Sequence, residues 1–270
     1  MRRLDQIHLA LEGLYHFYMI RSWLAEGIEV FSDAREALEA DEAASRAPRY
    51  RLAIGRLLTR EAKFLLTVAR FQEAKDLLLR GLELLCGLNA TAEIATARCY
   101  LGGVYTSLGL YTDAEQYLVA SLTTRREVGD RWGQAVTLLE LAGLSFYRGD
   151  YGEAKLQCEE GLALATECGD LQTIAHLLTG LSIVHRQLSD YDRARMYVER
   201  GQEVYAALDS PYGLIQSLLT LGGLAMIQGR YDEAKPAFLR SLEASQEIGL
   251  SLWGSGQLRS AGRGCAGNGG

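Results

Sequence analysis

An aromatic residue followed three positions later by alanine recurs every forty residues along the chain. The copies read FSDA, FQEA, YTDA, YGEA, YDRA and YDEA, and they start at residues 31, 71, 111, 151, 191 and 231. A fixed period of about 20–50 residues is the signature of a repeat architecture. The sequence therefore predicts one structural unit used six times, stabilised by contacts between neighbouring units rather than by one central core.

Each unit has the pattern of two helices. Apolar residues recur at three- and four-residue steps, as at Leu138, Leu141, Ala142 and Leu144, and this is helical spacing. A residue that interrupts helices precedes most of the aromatics, namely Gly109, Gly149, Ser189 and Gly229. These breakers predict a turn between the two helices of a unit. The pairs Gly129-Asp130 and Gly169-Asp170 predict a left-handed helix cap followed by an N-cap of the next helix.

Small residues recur in register within both helices of the unit. In the first helices they are Ser22, Ala62, Gly102, Ala142, Ser182 and Gly222. In the second helices they are Gly81, Ser121, Gly161, Gly201 and Ser241, beside an apolar row of Leu38, Leu78, Leu118, Cys158, Val198 and Phe238. Small side chains let two helices approach closely, so every unit packs on the next in the same way. An all-α solenoid of about six stacked helical hairpins over residues 1–250 is expected.

The two ends of the chain depart from the pattern. Residues 251–270 are rich in glycine and lose the repeat, so we expect a disordered or truncated tail there. A polar capping helix is missing after the last hairpin. Its exposed apolar face predicts self-association, a missing partner or truncation of a longer array.

The repeated residues resemble the tetratricopeptide repeat. The segments 100–122 and 221–242 fit that family's order of Leu-Gly, a later Gly, an aromatic, Ala and a small residue. The resemblance implies a right-handed superhelical α-solenoid of helix-turn-helix repeats. The forty-residue spacing and the Gly-Asp turns are similar to the sensor arm of bacterial STAND-type signal-transduction ATPases and related transcriptional activators. That narrower resemblance implies a fragment or a stand-alone relative of such an arm.

Composition and motifs argue against several classes of function. The net charge is −6 and both signs are interspersed, which argues against nucleic-acid binding. The five cysteines form no C-x-x-C pair, no apolar run has membrane-spanning length, and no signal peptide opens the chain, so we expect a reduced cytoplasmic protein. No phosphate-binding loop or metalloprotease motif is present. We expect no cofactor, no metal, no catalytic residue and no membrane partner.

The residues with chemical potential have simple structural interpretations. Cys158 and Cys168 flank Glu159 and Glu160, but Cys158 lies in the apolar row and the two glutamates point to different parts of a helix surface. The four histidines, His8, His16, His176 and His185, are spaced too widely to share a metal, so structural or surface roles are expected.

In the family that the repeats resemble, the first helices line the concave face. Carrying the repeat register over gives these inward candidates for binding: Arg56, Arg60, Lys63, Tyr100, Glu140, Phe146, Tyr147, His176, Arg186, Gln187, Met226 and Ile227. The basic trio of Arg56, Arg60 and Lys63 is expected to meet an acidic group. Four of the candidates, Phe146, Tyr147, Met226 and Ile227, are expected to form an apolar strip. The competing interpretation is that several of the twelve are packing residues or ordinary surface.

Two functions fit this pattern, and an enzyme is the third class considered. The first is a non-enzymatic scaffold that binds a protein or peptide and acts as a sensor or regulatory module in bacterial signalling. The alternative is the ligand-sensing arm of a transcriptional regulator, with a small-molecule effector in the concave groove. A long open channel favours the peptide, whereas an enclosed pocket of some hundreds of Å³ favours the small molecule.

Overall fold

The structure, a computed structural model, describes residues 2–40 and 47–247, and every regular element in them is a helix. The predicted tail at 251–270 lies outside the described residues. The described residues form twelve helices: α1 (Arg2–Arg21), α2 (Leu24–Glu39), α3 (Pro48–Thr67), α4 (Phe71–Cys86), α5 (Thr91–Ser107), α6 (Tyr111–Glu127), α7 (Arg131–Arg148), α8 (Tyr151–Cys168), α9 (Leu171–Gln187), α10 (Tyr191–Ala207), α11 (Pro211–Ile227) and α12 (Tyr231–Glu247). In this part of the chain, no helix is both long and apolar enough to span a membrane.

The helices form six consecutive pairs arranged in two layers. From α3 onwards, each odd-numbered helix packs most extensively against the even-numbered helix that follows it. The odd-numbered helices also contact one another from pair to pair, so they form the inner layer. The even-numbered helices form the outer layer. The prediction of an all-α helical-repeat solenoid is confirmed.

The turns between helices explain why the repeat has its glycines and aspartates. One residue in each of the ten turns that the structure describes has a positive φ, and it is glycine at five of these positions, including +83° at Gly149 and +70° at Gly169. The side chains of Asp130, Asp150 and Asp170 then accept a hydrogen bond from a backbone N–H in the first turn of the helix that follows. These contacts satisfy donors that a helix start leaves unpaired. The predicted Gly-Asp caps are confirmed.

The first copy follows a different register from the other five. Phe31 lies inside α2, which begins at Leu24, whereas the other five aromatics each begin a helix, as Phe71 begins α4. The step from Leu24 to Phe71 is therefore 71 − 24 = 47 residues instead of forty. Phe31 is a buried core residue packed edge-on against Phe64, with ring centroids 5.3 Å apart. Ser22 is not a small residue within a helix, because it has φ +61° and makes the α1–α2 turn.

Small residues allow the close helix crossings that the sequence predicts. A Cβ on Gly102 of α5 would lie 2.4 Å from Cγ of Leu118 on α6. A Cβ on Gly161 of α8 would lie 3.1 Å from a methyl group of Leu177. Cys158 is buried in the apolar row, beside Leu177 and Leu181. Larger side chains at the glycine positions would push the helices apart.

Candidate binding surface

Helix α1 reaches across the concave side of the solenoid. The phenol oxygens of Tyr15 and Tyr100 are 3.3 Å apart, which joins α1 to α5 past the intervening helix α3. The ring of His16 lies 6.3 Å from the ring of Trp132 on α7. α1 therefore contributes to the interior of repeats one to four, the space that the inner helices surround.

The basic residues on α3 are engaged by acidic side chains of the same chain. Arg56 pairs with Glu12 at 3.0 Å and with Glu93 at 2.9 Å, and Arg60 pairs with the same two carboxylates at 2.6 and 3.0 Å. Burial acts to raise the pKa of Glu12, but the charge of Arg60 and hydrogen bonds from both guanidinium groups lower it overall. The four residues form a closed network between α1, α3 and α5.

Lys63, the third basic candidate, joins repeats two and four. Its ammonium group lies 2.9 Å from a carboxylate oxygen of Glu140 on α7 and 5.0 Å from the ring centre of Tyr100. Burial acts to lower the pKa of Lys63, but the charge of Glu140, the neighbouring Tyr100 and the hydrogen bond to Glu140 together raise it overall. Burial lowers the pKa of His176 to about 4, and nearby Lys63 adds to that effect. At neutral pH the ammonium is charged and the imidazole is neutral.

The remaining candidates lie at the C-terminal ends of the inner helices α7, α9 and α11. Each helix contributes the same two successive register positions, and we call these six residues the rim surface: Phe146, Tyr147, Arg186, Gln187, Met226 and Ile227. Three of the apolar side chains are about half exposed, with 51% for Tyr147, 50% for Met226 and 54% for Ile227. The rim surface therefore presents apolar area in repeats four and six, on either side of the polar Arg186 and Gln187 of repeat five.

Arg186 lies in the middle repeat of the rim surface. Among the side chains that the structure describes, in residues 10–40 and 47–247, it pairs with no carboxylate, and burial alone lowers its pKa. A Cβ on Gly223 would lie 3.2 Å from the Arg186 Nη1 atom, so the guanidinium group extends over α11. The structure thus separates the twelve candidates into a satisfied interior network and a rim with a partly desolvated cation.

A further contact joins the first repeat to the sixth. Arg21 forms an ion pair with Asp209, which lies in the turn before α11. The backbone N–H of Tyr212 donates to the Ser22 hydroxyl at 3.4 Å. The two residues of the ion pair are 188 positions apart in the sequence, and the two residues of the hydrogen bond are 190 positions apart. We call this pair of contacts the closure.

Sequence reasoning missed the residues that complete the interior. Glu12, Tyr15 and Glu93 contact or pair with the predicted candidates, and Trp132 contacts His16 of α1, but the repeat register did not select these four residues. Glu12 and Tyr15 are on the divergent first helix, and Glu93 and Trp132 lie in the first turns of α5 and α7. A useful signal was present, since three basic candidates on one helix require nearby carboxylates if they are to be buried.

Cysteine and histidine residues fit the structural roles assigned to them. Burial raises the pKa of the Cys158 thiol to about 12, so the thiol stays protonated. Cys168, the last residue of α8, is exposed. His185 is buried, with its ring 5.3 Å from that of Tyr197. No described group of three His, Cys, Asp or Glu side chains is arranged to hold a metal ion. The side chain of His8 lies outside the described residues.

Comparison with known proteins identifies the type of repeat in two segments of the chain. Residues 93–167 and residues 215–260 match models of the tetratricopeptide repeat. These two segments are therefore similar to tetratricopeptide repeats, and they lie within an all-α helical-repeat fold. No sequence match to a curated protein was found. The similarity to the sensor arm of STAND-type ATPases stays a prediction.

Solved structures with the same fold include three of particular interest. BtubC from P. vanneervenii is 18% identical, with a TM-score of 0.63 over 84% of this chain and 92% of that one. The Rap conjugation gene regulator of plasmid pLS20, in complex with the Phr* peptide, is 14% identical, with a TM-score of 0.66 over 87% and 73%. Aspartyl phosphate phosphatase F from Bacillus subtilis is 15% identical, with a TM-score of 0.62 over 84% and 62%. At these identities each likeness shows the fold alone.

Proposed function

We propose that this chain is a non-enzymatic scaffold that binds a protein or peptide, and that it serves as a sensor or regulatory module in bacterial signalling in the cytoplasm. The observation that carries the proposal is the rim surface, where exposed apolar side chains flank a cation without a carboxylate partner among the described residues. The Rap regulator with this fold, solved with a peptide, supports a peptide as the ligand.

The geometry of the rim surface sets the length and chemistry of the ligand. Neighbouring helices lie about 8–10 Å apart, so three successive inner helices span roughly 20 Å. An extended chain rises about 3.3 Å per residue, so about six residues cover that distance. Arg186 occupies the middle position, with Tyr147 on one side and Ile227 on the other. The expected ligand is an extended segment with a central carboxylate and apolar residues towards both ends.

Selection from a library tests the proposal while the partner is still unidentified. Random twelve-residue peptides displayed on phage are selected on the wild-type chain, and one enriched peptide is titrated by calorimetry. We expect a central Asp or Glu among the enriched sequences. Arg186→Gln and the pair Tyr147→Ala with Ile227→Ala should each weaken binding about tenfold or more, because truncation of a hot-spot residue typically costs about 2 kcal/mol or more and tenfold corresponds to about 1.4 kcal/mol.

The matched control is Leu156→Ala, which removes an exposed leucine from the outer helix α8. Affinity should be unchanged in that variant. Failure to enrich any sequence, or equal affinity for the wild-type chain and the rim variants, would refute the assignment. The same assay distinguishes the alternative, a small-molecule effector in the groove. In that case the affinity of a selected peptide would not depend on Tyr147 and Ile227.

Self-association through the last hairpin is a separate part of the proposal. Leu239 and Leu242 of α12 are exposed, with 49% and 42% of their surface accessible. These side chains offer apolar area that a second copy can cover. Light scattering over a wide concentration range tests this, and a constant monomer mass would contradict it.

A further inference from the structure

Helix α1 is held differently from the other inner helices. It makes far less contact with α2 than every later inner helix makes with its own outer partner. Its side chains contact α3 and reach α5 and α7, through Glu12, Tyr15 and His16. Helix α1 is therefore held mainly by inner helices of other repeats, as a helical ligand inside the solenoid would be.

We infer that the interior of repeats one to four is a second binding site, distinct from the rim surface, and that α1 is its built-in occupant. The ligand that displaces α1 is a partner helix with an apolar residue, a carboxylate and an aromatic ring arranged as in Leu11-Glu12-x-x-Tyr15. Recognition of a helix in a groove by residues at such spacing is a general mode of peptide binding.

Charge selects the carboxylate of this ligand. With α1 bound, the two guanidinium groups of Arg56 and Arg60 face the two carboxylates of Glu12 and Glu93. When α1 leaves, two positive charges face one negative charge. An excess charge in a partly buried site is unfavourable, so the vacated position favours an incoming carboxylate.

Apolar contacts select the other two residues. Leu11 and Tyr15 are buried in a cluster with Leu57 and Phe64 of α3. The ring of Tyr15 meets the ring of Phe64 edge-on, with centroids 5.5 Å apart. Departure of α1 exposes this cluster, so only a helix that supplies an apolar side chain and an aromatic ring replaces the lost contacts.

The C-terminal end of α1 is the weak point of its attachment. The ion pair between Arg21 and Asp209 is exposed, with 47% and 78% of the two side chains accessible. Exposed ion pairs contribute little to stability. Reversing one charge of this pair should therefore favour the open form without disturbing the rest of the fold.

The test uses the full chain and a fluorescein-labelled synthetic peptide of residues 2–21. Arg21→Glu is compared with the wild-type chain by fluorescence anisotropy. We expect the peptide to bind Arg21→Glu about two- to fivefold more tightly, because loss of an exposed ion pair releases the competing internal helix a few times more often. Adding Asp209→Arg to Arg21→Glu restores the ion pair and should restore wild-type affinity.

Two controls separate this site from general effects. Arg126→Glu makes the same charge change at another exposed ion pair, with Glu160 on the outer layer, and should leave binding unchanged. A peptide carrying Glu12→Gln and Tyr15→Ala should bind neither chain. Hydrogen exchange of the α1 amides should be faster in Arg21→Glu than in the wild-type chain, while exchange in α5 and α6 stays the same.

Equal binding of the peptide to the wild-type chain and to Arg21→Glu would overturn the inference, since no competition by α1 would then exist. Absence of binding to both chains, with unchanged exchange in α1, would show that α1 is a permanent part of the core. The peptides selected for the rim surface would still bind in either case, so this failure is distinct from a failure of the proposed function.

Discussion

A single methyl group at Gly102 should destabilise the protein. The Cβ of an alanine there would lie 2.4 Å from Leu118 Cγ, more than about 1 Å inside the usual carbon–carbon contact of about 3.5–4.0 Å. Leu118 is completely buried, so it has little room to move away. Overpacking of this kind costs about 1–3 kcal/mol. The preference of a helix for alanine over glycine returns only about 0.5–1 kcal/mol.

Gly143 provides the matched comparison. It also lies on an inner helix, one repeat further along, but a Cβ on Gly143 would have no neighbour within 4 Å. Gly143→Ala therefore has the helix preference without the clash, and it should stabilise the protein by about 0.5–1 kcal/mol. The two alanine variants should differ by about 1–3 kcal/mol, which is the overpacking cost alone.

Urea denaturation followed by far-UV circular dichroism measures this difference. Equal slopes of free energy against urea concentration are needed for the comparison, because a solenoid can unfold in stages. Hydrogen exchange in α5 and α6 gives a local measurement that does not need that condition. If Gly102→Ala proved as stable as Gly143→Ala, the crossing of α5 and α6 would not be as close as the structure shows, and the packing argument would fail.

Three other predictions concern buried ionisable groups. Glu61→Ala removes the carboxylate that lies 2.9 Å from the buried Arg35 guanidinium, and thermal unfolding should show a loss of about 2–4 kcal/mol. The pKa of His176 is lowered to about 4 in the folded chain, so the unfolded chain binds the extra proton, and urea denaturation should show stability falling from about pH 6.5 to pH 4 in the wild-type chain but less in His176→Phe. A thiol reagent should label the exposed Cys168 in the native protein and Cys158 only after unfolding, and mass spectrometry of peptides would contradict this if both were labelled together.

The forty-residue spacing was sufficient to predict the helices from α3 to α12, because similar local signals recur at most of their turns. The first repeat could not be placed in the same way. Phe31 and Ala34 reproduce the aromatic-alanine motif, but the motif there coincides with core positions inside α2 rather than with a helix start. Residues 22 to 24 carry the actual turn, and their Ser-Trp-Leu sequence lacks the glycine that marks most of the later ones.

The twelve binding candidates were predicted from register, and register alone does not specify which side chains meet across the interior. Lys63 and Glu140 belong to repeats two and four, and their contact depends on how tightly the inner layer curves. That curvature is the sum of small rotations at several crossings, which the sequence pattern does not encode. The same limit applies to Glu61, which replaces the leucine of its row because Arg35 of α2 lies opposite.

The closure between Arg21 and Asp209 fixes the number of units that lie between the first turn and the start of the sixth pair. In an open solenoid one unit can be added or removed with little effect on the others, because each contacts only its neighbours. Here the first turn must meet the start of the sixth pair, and insertion of one unit would move that start by roughly one helix spacing of about 8–10 Å. Gain or loss of a unit between these two points therefore breaks the contact between Arg21 and Asp209. Selection can then act on the number of units between them.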